Sequence, residues 1–168
     1  MSGYQFDRLK IMVVDDNAHM RKLVVTILQA FGCTHVYEAT DGKIAWTLLR
    51  EVNPDVILLD WMMEGMSGLE FAKQVRTSPA SPNPYLPIIM LTGNTSVDCV
   101  NAARDVGVNE FLAKPVSVKA VMARLTSVIE HPRAFVRTKV YFGPCRRRRN
   151  LDEFKGAERR AGVAAAVA

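Results

Sequence analysis

Two periodicities alternate along this chain, and their alternation confines it to one class of fold. Ile11-Met12-Val13-Val14 is a short apolar run closed by Asp15 and Asp16. Behind it, Met20, Leu23, Val24, Ile27, Leu28 and Phe31 recur at helical spacing, with Asn17 placed to cap the helix and Gly32 to stop it. His35-Val36-Tyr37-Glu38 starts a second unit, whose helix carries Ile44, Ala45, Leu48, Leu49 and Val52 on one face before Pro54. The run Val56 to Asp60 leads into a helix over about residues 68–76, and Pro87 to Leu91 leads into one with Val97, Val100 and Ala103 facing inward. Glu110 to Ala113 leads into the last helix, which carries Val118, Val121, Met122, Leu125, Val128 and Ile129. Strands that alternate with helices through short connections predict an α/β fold, a doubly wound five-stranded parallel sheet, because a parallel neighbour needs a crossover and each helix supplies one.

One run stands out. Ile57-Leu58-Leu59 has the pattern of a strand buried on both faces, yet it ends in the carboxylate of Asp60. A charge there is expensive to bury and contributes nothing to packing, so it is expected at the carboxyl edge of the sheet, where open α/β folds place their chemistry. The other strand ends deliver Asp15, Asp16, Thr92 and Lys114 to that same rim. Such residues also serve as helix caps and solvated loop charges, which is the plainer alternative for any one of them. Converged, three carboxylates repel unless a divalent cation joins them, and an all-oxygen set favours a hard ion such as Mg2+. One carboxylate can then act as a nucleophile toward phosphorus, with the metal, Lys114 and the Thr92 hydroxyl stabilising the phosphoryl oxygens.

Charge divides the chain in two. Residues 1–130 carry 12 Lys and Arg against 14 Asp and Glu, whereas residues 131–168 carry 10 against 3, so the overall +5 belongs to the C-terminal tail. The expected division is therefore 1–131 for the α/β domain and 132–168 for a basic extension that orders on binding a ligand. No apolar run is long enough to span a bilayer and the N-terminus lacks a secretory pattern, so a cytoplasmic location is expected. Cys33, Cys99 and Cys145 are an odd count without metal-ligand spacing and are expected as reduced thiols.

Over about residues 7–130 the sequence resembles the CheY-like receiver domains of bacterial two-component systems, which have a flavodoxin-like fold. The resemblance rests on Val13-Val14-Asp15-Asp16, Leu59-Asp60-Trp61-Met62-Met63, Gly68-Leu69-Glu70, Leu91-Thr92-Gly93 and Ala113-Lys114-Pro115. It implies that Asp60 is the phosphoacceptor and that Asp15, Asp16, Asp60 and the backbone carbonyl of Met62 hold Mg2+. It further implies that Thr92 and Lys114 contact the phosphoryl group, that Phe111 is the aromatic switch residue, and that a sensor histidine kinase or a histidine phosphotransfer protein is the donor. The chain departs from the pattern in three places. Glu64 stands where a proline is usual, Met62 and Asn94 occupy the positions that tune dephosphorylation, and Phe111 replaces a tyrosine.

The tail has its own pattern. Tyr141-Phe142-Gly143-Pro144-Cys145 runs into Arg146-Arg147-Arg148-Arg149, and thirteen residues later Phe154-Lys155-Gly156-Ala157-Glu158 runs into Arg159-Arg160. An unpatterned arginine run is ordinarily a solvated tail. Here the repetition, the interleaved aromatics and the Gly-Pro step, taken as a turn, argue for a defined ligand. Arginine can pair with guanine, stack on a base and clamp phosphate with the same planar fork. The tail resembles the arginine-rich extension of the Cle group of CheY-like proteins, which implies cyclic di-GMP as ligand, held by Tyr141, Arg146, Arg147, Arg148, Arg149, Phe154, Arg159 and Arg160. The same resemblance implies an output on the flagellar motor or on surface attachment. Three alternatives stay open. The first is a purely phosphorylation-driven interaction module whose basic tail meets an acidic partner. The second is a DNA-binding regulator, disfavoured because the tail has no helix-turn-helix pattern and sequence-specific DNA is not expected. The third is an enzyme with an external substrate, for which no further nucleophile and base pair is apparent.

Overall fold

A computed structural model of the chain describes residues 6–146 and, beyond them, the backbone of the short strand Ala165–Val167. After a 3-10 turn at Phe6–Arg8, β1 (Lys10–Val14) leads to α1 (Ala18–Ala30), β2 (His35–Ala39) to α2 (Gly42–Val52), and β3 (Val56–Asp60) to α3 (Gly68–Thr77). β4 (Ile88–Thr92) leads to α4 (Val97–Asp105), and β5 (Glu110–Ala113) to α5 (Val118–Glu130). The five strands form one parallel sheet in the order β2-β1-β3-β4-β5. The predicted α/β fold is present, and its strand order reverses between β1 and β3.

Alternation along each strand explains the two layers. Ile11 and Val13 of β1, with Val56 and Leu58 of β3, face the layer that holds Val24, Leu28, Val121 and Leu125 of α1 and α5. Met12 and Val14, with Ile57 and Leu59, face the opposite layer, where Ala45, Leu49, Phe71, Val75 and Ala103 of α2, α3 and α4 pack. Both faces being covered, the strands are apolar throughout rather than alternating with polar residues.

Local chemistry sets the helix ends. Asn17 caps α1 through bonds from the His19 and Met20 amides, and Asp41 caps α2 through those of Lys43 and Ile44. Ser67 and Glu70 close a capping box at the start of α3. Four apolar residues expected on buried helix faces are instead exposed: Leu23, Ile44, Val97 and Val118. The last two are the first residues of α4 and α5.

The boundary expected at Pro132 is followed by a formed hairpin, β6 (Phe135–Arg137) and β7 (Phe142–Pro144), antiparallel and in register Phe135 to Pro144. The Ala165–Val167 strand, β8, pairs with the other edge of β6. Gly143 and Pro144, expected as a turn, lie in β7, and the turn falls at Thr138 to Tyr141, where the Thr138 hydroxyl accepts from the Val140 and Tyr141 amides. Tyr85 meets Phe135 and Phe142 edge-on, and the three rings form an aromatic cluster that seats the hairpin on the body. No helix among the described residues is long and apolar enough to cross a membrane.

Candidate functional site

At the reversal point between β1 and β3, the carboxyl ends of the strands bring three acids together. Asp15 follows β1 directly and is fully buried, Asp60 ends β3 and is nearly so, and Asp16 is exposed beside them. One oxygen of each lies within 4.8 Å of the others. Lys114, directly after β5, reaches across, its Nζ 3.1 Å from Asp15 Oδ2 and 2.8 Å from Asp60 Oδ1. Three carboxylates against one ammonium leave the cluster with two negative charges, which is the charge and donor set that a hard divalent cation neutralises. The residues present fit Mg2+.

Backbone contacts fix each carboxylate. Asp15 Oδ1 accepts the Asn17 amide at 2.8 Å, and its carbonyl accepts the Arg21 guanidinium, which is held in turn by Glu38. Asp16 Oδ2 accepts the Glu64 amide at 3.1 Å, so the loop after β3 is tied to the acid cluster at the position where proline is usual. Behind Asp60 the chain turns so tightly that a Cβ on Gly68 would overlap the Asp60 carbonyl oxygen, and only glycine fits there.

The electrostatics follow from the burial. Desolvation pushes the Asp60 carboxyl above the ordinary range. The hydrogen bond from Lys114 draws it back and the charge of Asp15 pushes it up further. For Lys114 burial acts downward, but the bonds to Asp60 and Asp15 outweigh it and the ammonium is held above its usual value. The lysine is thus charged at every physiological pH, while the Asp60 carboxylate would gain from a cation.

The remaining rim residues fall into place unequally. Thr92 is buried at the end of β4, and its hydroxyl is occupied locally, donating to Asn94 O at 2.8 Å and accepting from Asn94 N at 3.0 Å. Met62 lies in the loop after Asp60 with its side chain exposed. Phe111 of β5 is partly buried against the layer of α3 and α4. Of the tail residues, Tyr141 and Arg146 are placed, at the end of the body opposite the acid cluster, the Arg146 guanidinium 4.3 Å from the Tyr141 ring centroid. Arg147, Arg148, Arg149, Phe154, Arg159 and Arg160 lie outside the described residues.

Sequence reasoning missed one residue of consequence. Arg76, in the last turn of α3, is buried, and its guanidinium donates to Gly107 O at 3.0 Å, Pro84 O at 2.9 Å and Asn109 Oδ1 at 3.0 Å while lying over the Phe135 ring. Burial lowers its pKa to about 9, so it remains a cation at neutral pH. An arginine at a helix end carries no sequence signal of burial, because most of these partners are thirty or more residues away in the chain.

Comparison with known proteins agrees with this geometry. The family model described as response regulator receiver domain matches residues 11–126. The chain is 31% identical over 122 residues to the chemotaxis protein CheY of Pseudomonas aeruginosa, covering 73% of this chain and 97% of that one. It is 34% identical over 119 residues to the phosphate regulon transcriptional regulatory protein PhoB of the same organism, but covers only 51% of it. Among solved structures, the chemotaxis protein CheY4 of Vibrio cholerae superposes with a TM-score of 0.66 at 33% identity, over 72% of this chain and 98% of that one.

Proposed function

This chain belongs to the response regulator receiver domain family, and from that premise we propose that it accepts a phosphoryl group on Asp60 and passes the signal on by protein contact. It is a CheY-like response regulator of two-component signalling, which implies a histidine kinase partner, and its homologues are signalling modules rather than classical enzymes. Receiver domains use Mg2+ at an acidic cluster of this kind. The observation that carries the reading is the placement of Lys114 between the buried Asp15 and Asp60 carboxylates.

The step follows from these positions. Asp60 Oδ1 is engaged by Lys114, which leaves Oδ2 to attack phosphorus. The bond from phosphorus to the ring nitrogen of a phosphohistidine breaks, the electron pair stays on that nitrogen, and an acyl phosphate forms on Asp60. Bound Mg2+ supplies charge neutralisation for the phosphoryl oxygens. Lys114 pairs with one of those oxygens, and Thr92 donates its hydroxyl to another once it turns from Asn94. Phe111 follows that turn as the aromatic switch. Met62 would offer its backbone carbonyl to the cation, and its exposed apolar side chain cannot orient an attacking water for dephosphorylation.

The tail adds a second input. Its arginines bind cyclic di-GMP, and the output falls on the flagellar motor or on surface attachment, by similarity to the Cle group. Supporting this, both described tail arginines nearest an aromatic lie over its face, Arg146 over Tyr141 and Arg137 over Phe142, each 4.3 Å from the centroid. Two experiments test the two inputs. Intact-mass spectrometry after incubation with acetyl phosphate and Mg2+ should show one phosphoryl adduct, absent in Asp60→Asn. Calorimetry should show heat of cyclic di-GMP binding to the full chain and none to a chain ending at residue 146, which keeps the docked hairpin. Equal heats, or none in either, would leave a phosphorylation-driven module whose basic tail meets an acidic partner.

A further inference from the structure

Helix α4 differs from its neighbours in how it is held. Helix α3 buries Gly68, Phe71, Ala72, Val75 and Arg76, whereas α4 buries Ala103 alone and leaves Val97 74% exposed. An element with so little buried apolar surface is retained mainly by its ends, and is the part of the body most easily displaced. At its start, a chain of hydrogen bonds runs from the Thr92 hydroxyl through Asn94, whose side chain accepts the Ser96 amide at 2.9 Å, to Ser96, whose hydroxyl accepts the Cys99 amide. At its other end it meets the C-terminal hairpin. Asp105, the last residue of α4, pairs with Arg146 at 2.9 Å. Two residues later Gly107 lies against Gly143, where a Cβ would come within 2.7 Å of the Gly107 Cα, and Arg76 clamps the Gly107 carbonyl while supporting Phe135.

We propose that the C-terminal hairpin is an anchor on the far end of α4, and that it sets how readily α4 responds to phosphorylation of Asp60. The physical content is a competition over one weakly seated helix. A phosphoryl oxygen on Asp60 recruits the Thr92 hydroxyl, which gives up Asn94 and loosens the start of α4. The Asp105–Arg146 pair and the Gly107–Gly143 contact oppose displacement from the other end. By thermodynamic reciprocity, whatever the anchor withholds from α4 is withheld from the phosphoryl state, and that state must loosen the hairpin in turn. The inference rests on Asp60 being the phosphoacceptor, and not on the identity of any tail ligand.

The test uses the full chain with Cys99→Ser, so that Cys145 on the hairpin is the reactive thiol and Cys33 is buried. Beryllofluoride with Mg2+ serves as the phosphoryl probe, Trp61 fluorescence reports its binding beside Asp60, and maleimide labelling of Cys145 reports hairpin seating. In the Cys99→Ser chain the probe is expected to speed Cys145 labelling several-fold. Asp105→Asn is expected to speed it without the probe and to tighten probe binding about 2–5-fold, the scale of an exposed ion pair. A merely structural role for Asp105 would alter labelling but leave probe affinity unchanged. A Trp61 response with labelling indifferent to the probe, or with Asp105→Asn at the parent's probe affinity, overturns the anchor. No Trp61 response at any probe concentration overturns the phosphoacceptor reading and the anchor with it.

Discussion

Two cations at opposite ends of the sheet, the partly buried Lys114 and the buried Arg76, are surrounded in opposite ways. Lys114 lies between two carboxylates, and these hold its ammonium above the ordinary value against the effect of burial. Arg76 lies among carbonyls and aromatic faces, and burial brings its guanidinium down to about 9. The first arrangement has negative charge in excess, which a cation can neutralise, and this is the end that the proposed phosphoryl chemistry uses. The second has its donors matched to neutral acceptors and lies over the Phe135 ring, so it is a joint between elements. The contrast shows that burial of a charge does not by itself mark function, and that the sign and number of its partners decide.

Substitution of Asp60 by asparagine gives the largest expected effect on the Lys114 end: phosphoryl transfer from acetyl phosphate should be lost entirely, as seen by intact mass. In the absence of divalent cation that same change should stabilise the fold in urea melts, since it removes a buried carboxylate held above its ordinary range. The sign with pH follows. A carboxyl whose folded pKa is raised binds protons more tightly folded than unfolded, so metal-free stability should rise as pH falls from that raised value toward 3.8.

At the Arg76 end, replacement by alanine takes the guanidinium from Gly107 O and Pro84 O and one of two donors from Asn109 Oδ1, and should cost about 3 kcal/mol, measured by urea denaturation. Asn109 keeps one partner, the Ile88 amide, which limits the damage to β4. If Arg76 is a joint and not part of the chemistry, Mg2+ affinity read from Trp61 should be unchanged in the folded fraction, and a loss there would break the distinction. Gly143→Ala should follow at about 1–2 kcal/mol, because the new Cβ would meet the Tyr141 hydroxyl at 2.6 Å and Gly107 at 2.7 Å, and the relief is undocking of the hairpin. Smallest is the pH dependence of Mg2+ binding. Affinity should fall as pH drops through the raised Asp60 value, because proton and cation compete for one carboxylate, and Arg76→Lys should leave that profile in place.

Much of the acid site was legible because its signals are local. The apolar run of β3 states that Asp60 ends a buried strand, and Asn17 announces its helix within three residues. The engagement of the Thr92 hydroxyl by Asn94 was not legible, since a strand-end threonine reveals its position and not its rotamer. Nor was the hairpin. A net positive charge and a Gly-Pro step favour an irregular tail, and the ordering force comes from Tyr85 and Arg76, some fifty and sixty residues upstream of the strands they seat.

The sequence by itself therefore determined the α/β alternation, the layer to which most apolar side chains turn, and the rim that would carry the acids, because strand and helix periods and caps act over a few residues. Only the tertiary structure decided that Lys114 bridges Asp15 and Asp60, that Arg76 is interior, and that the hairpin closes on the end of α4 through Gly107 and Gly143. Those are meetings between residues tens of positions apart, and their free energy depends on desolvation and close approach, which exist only once the chain has folded.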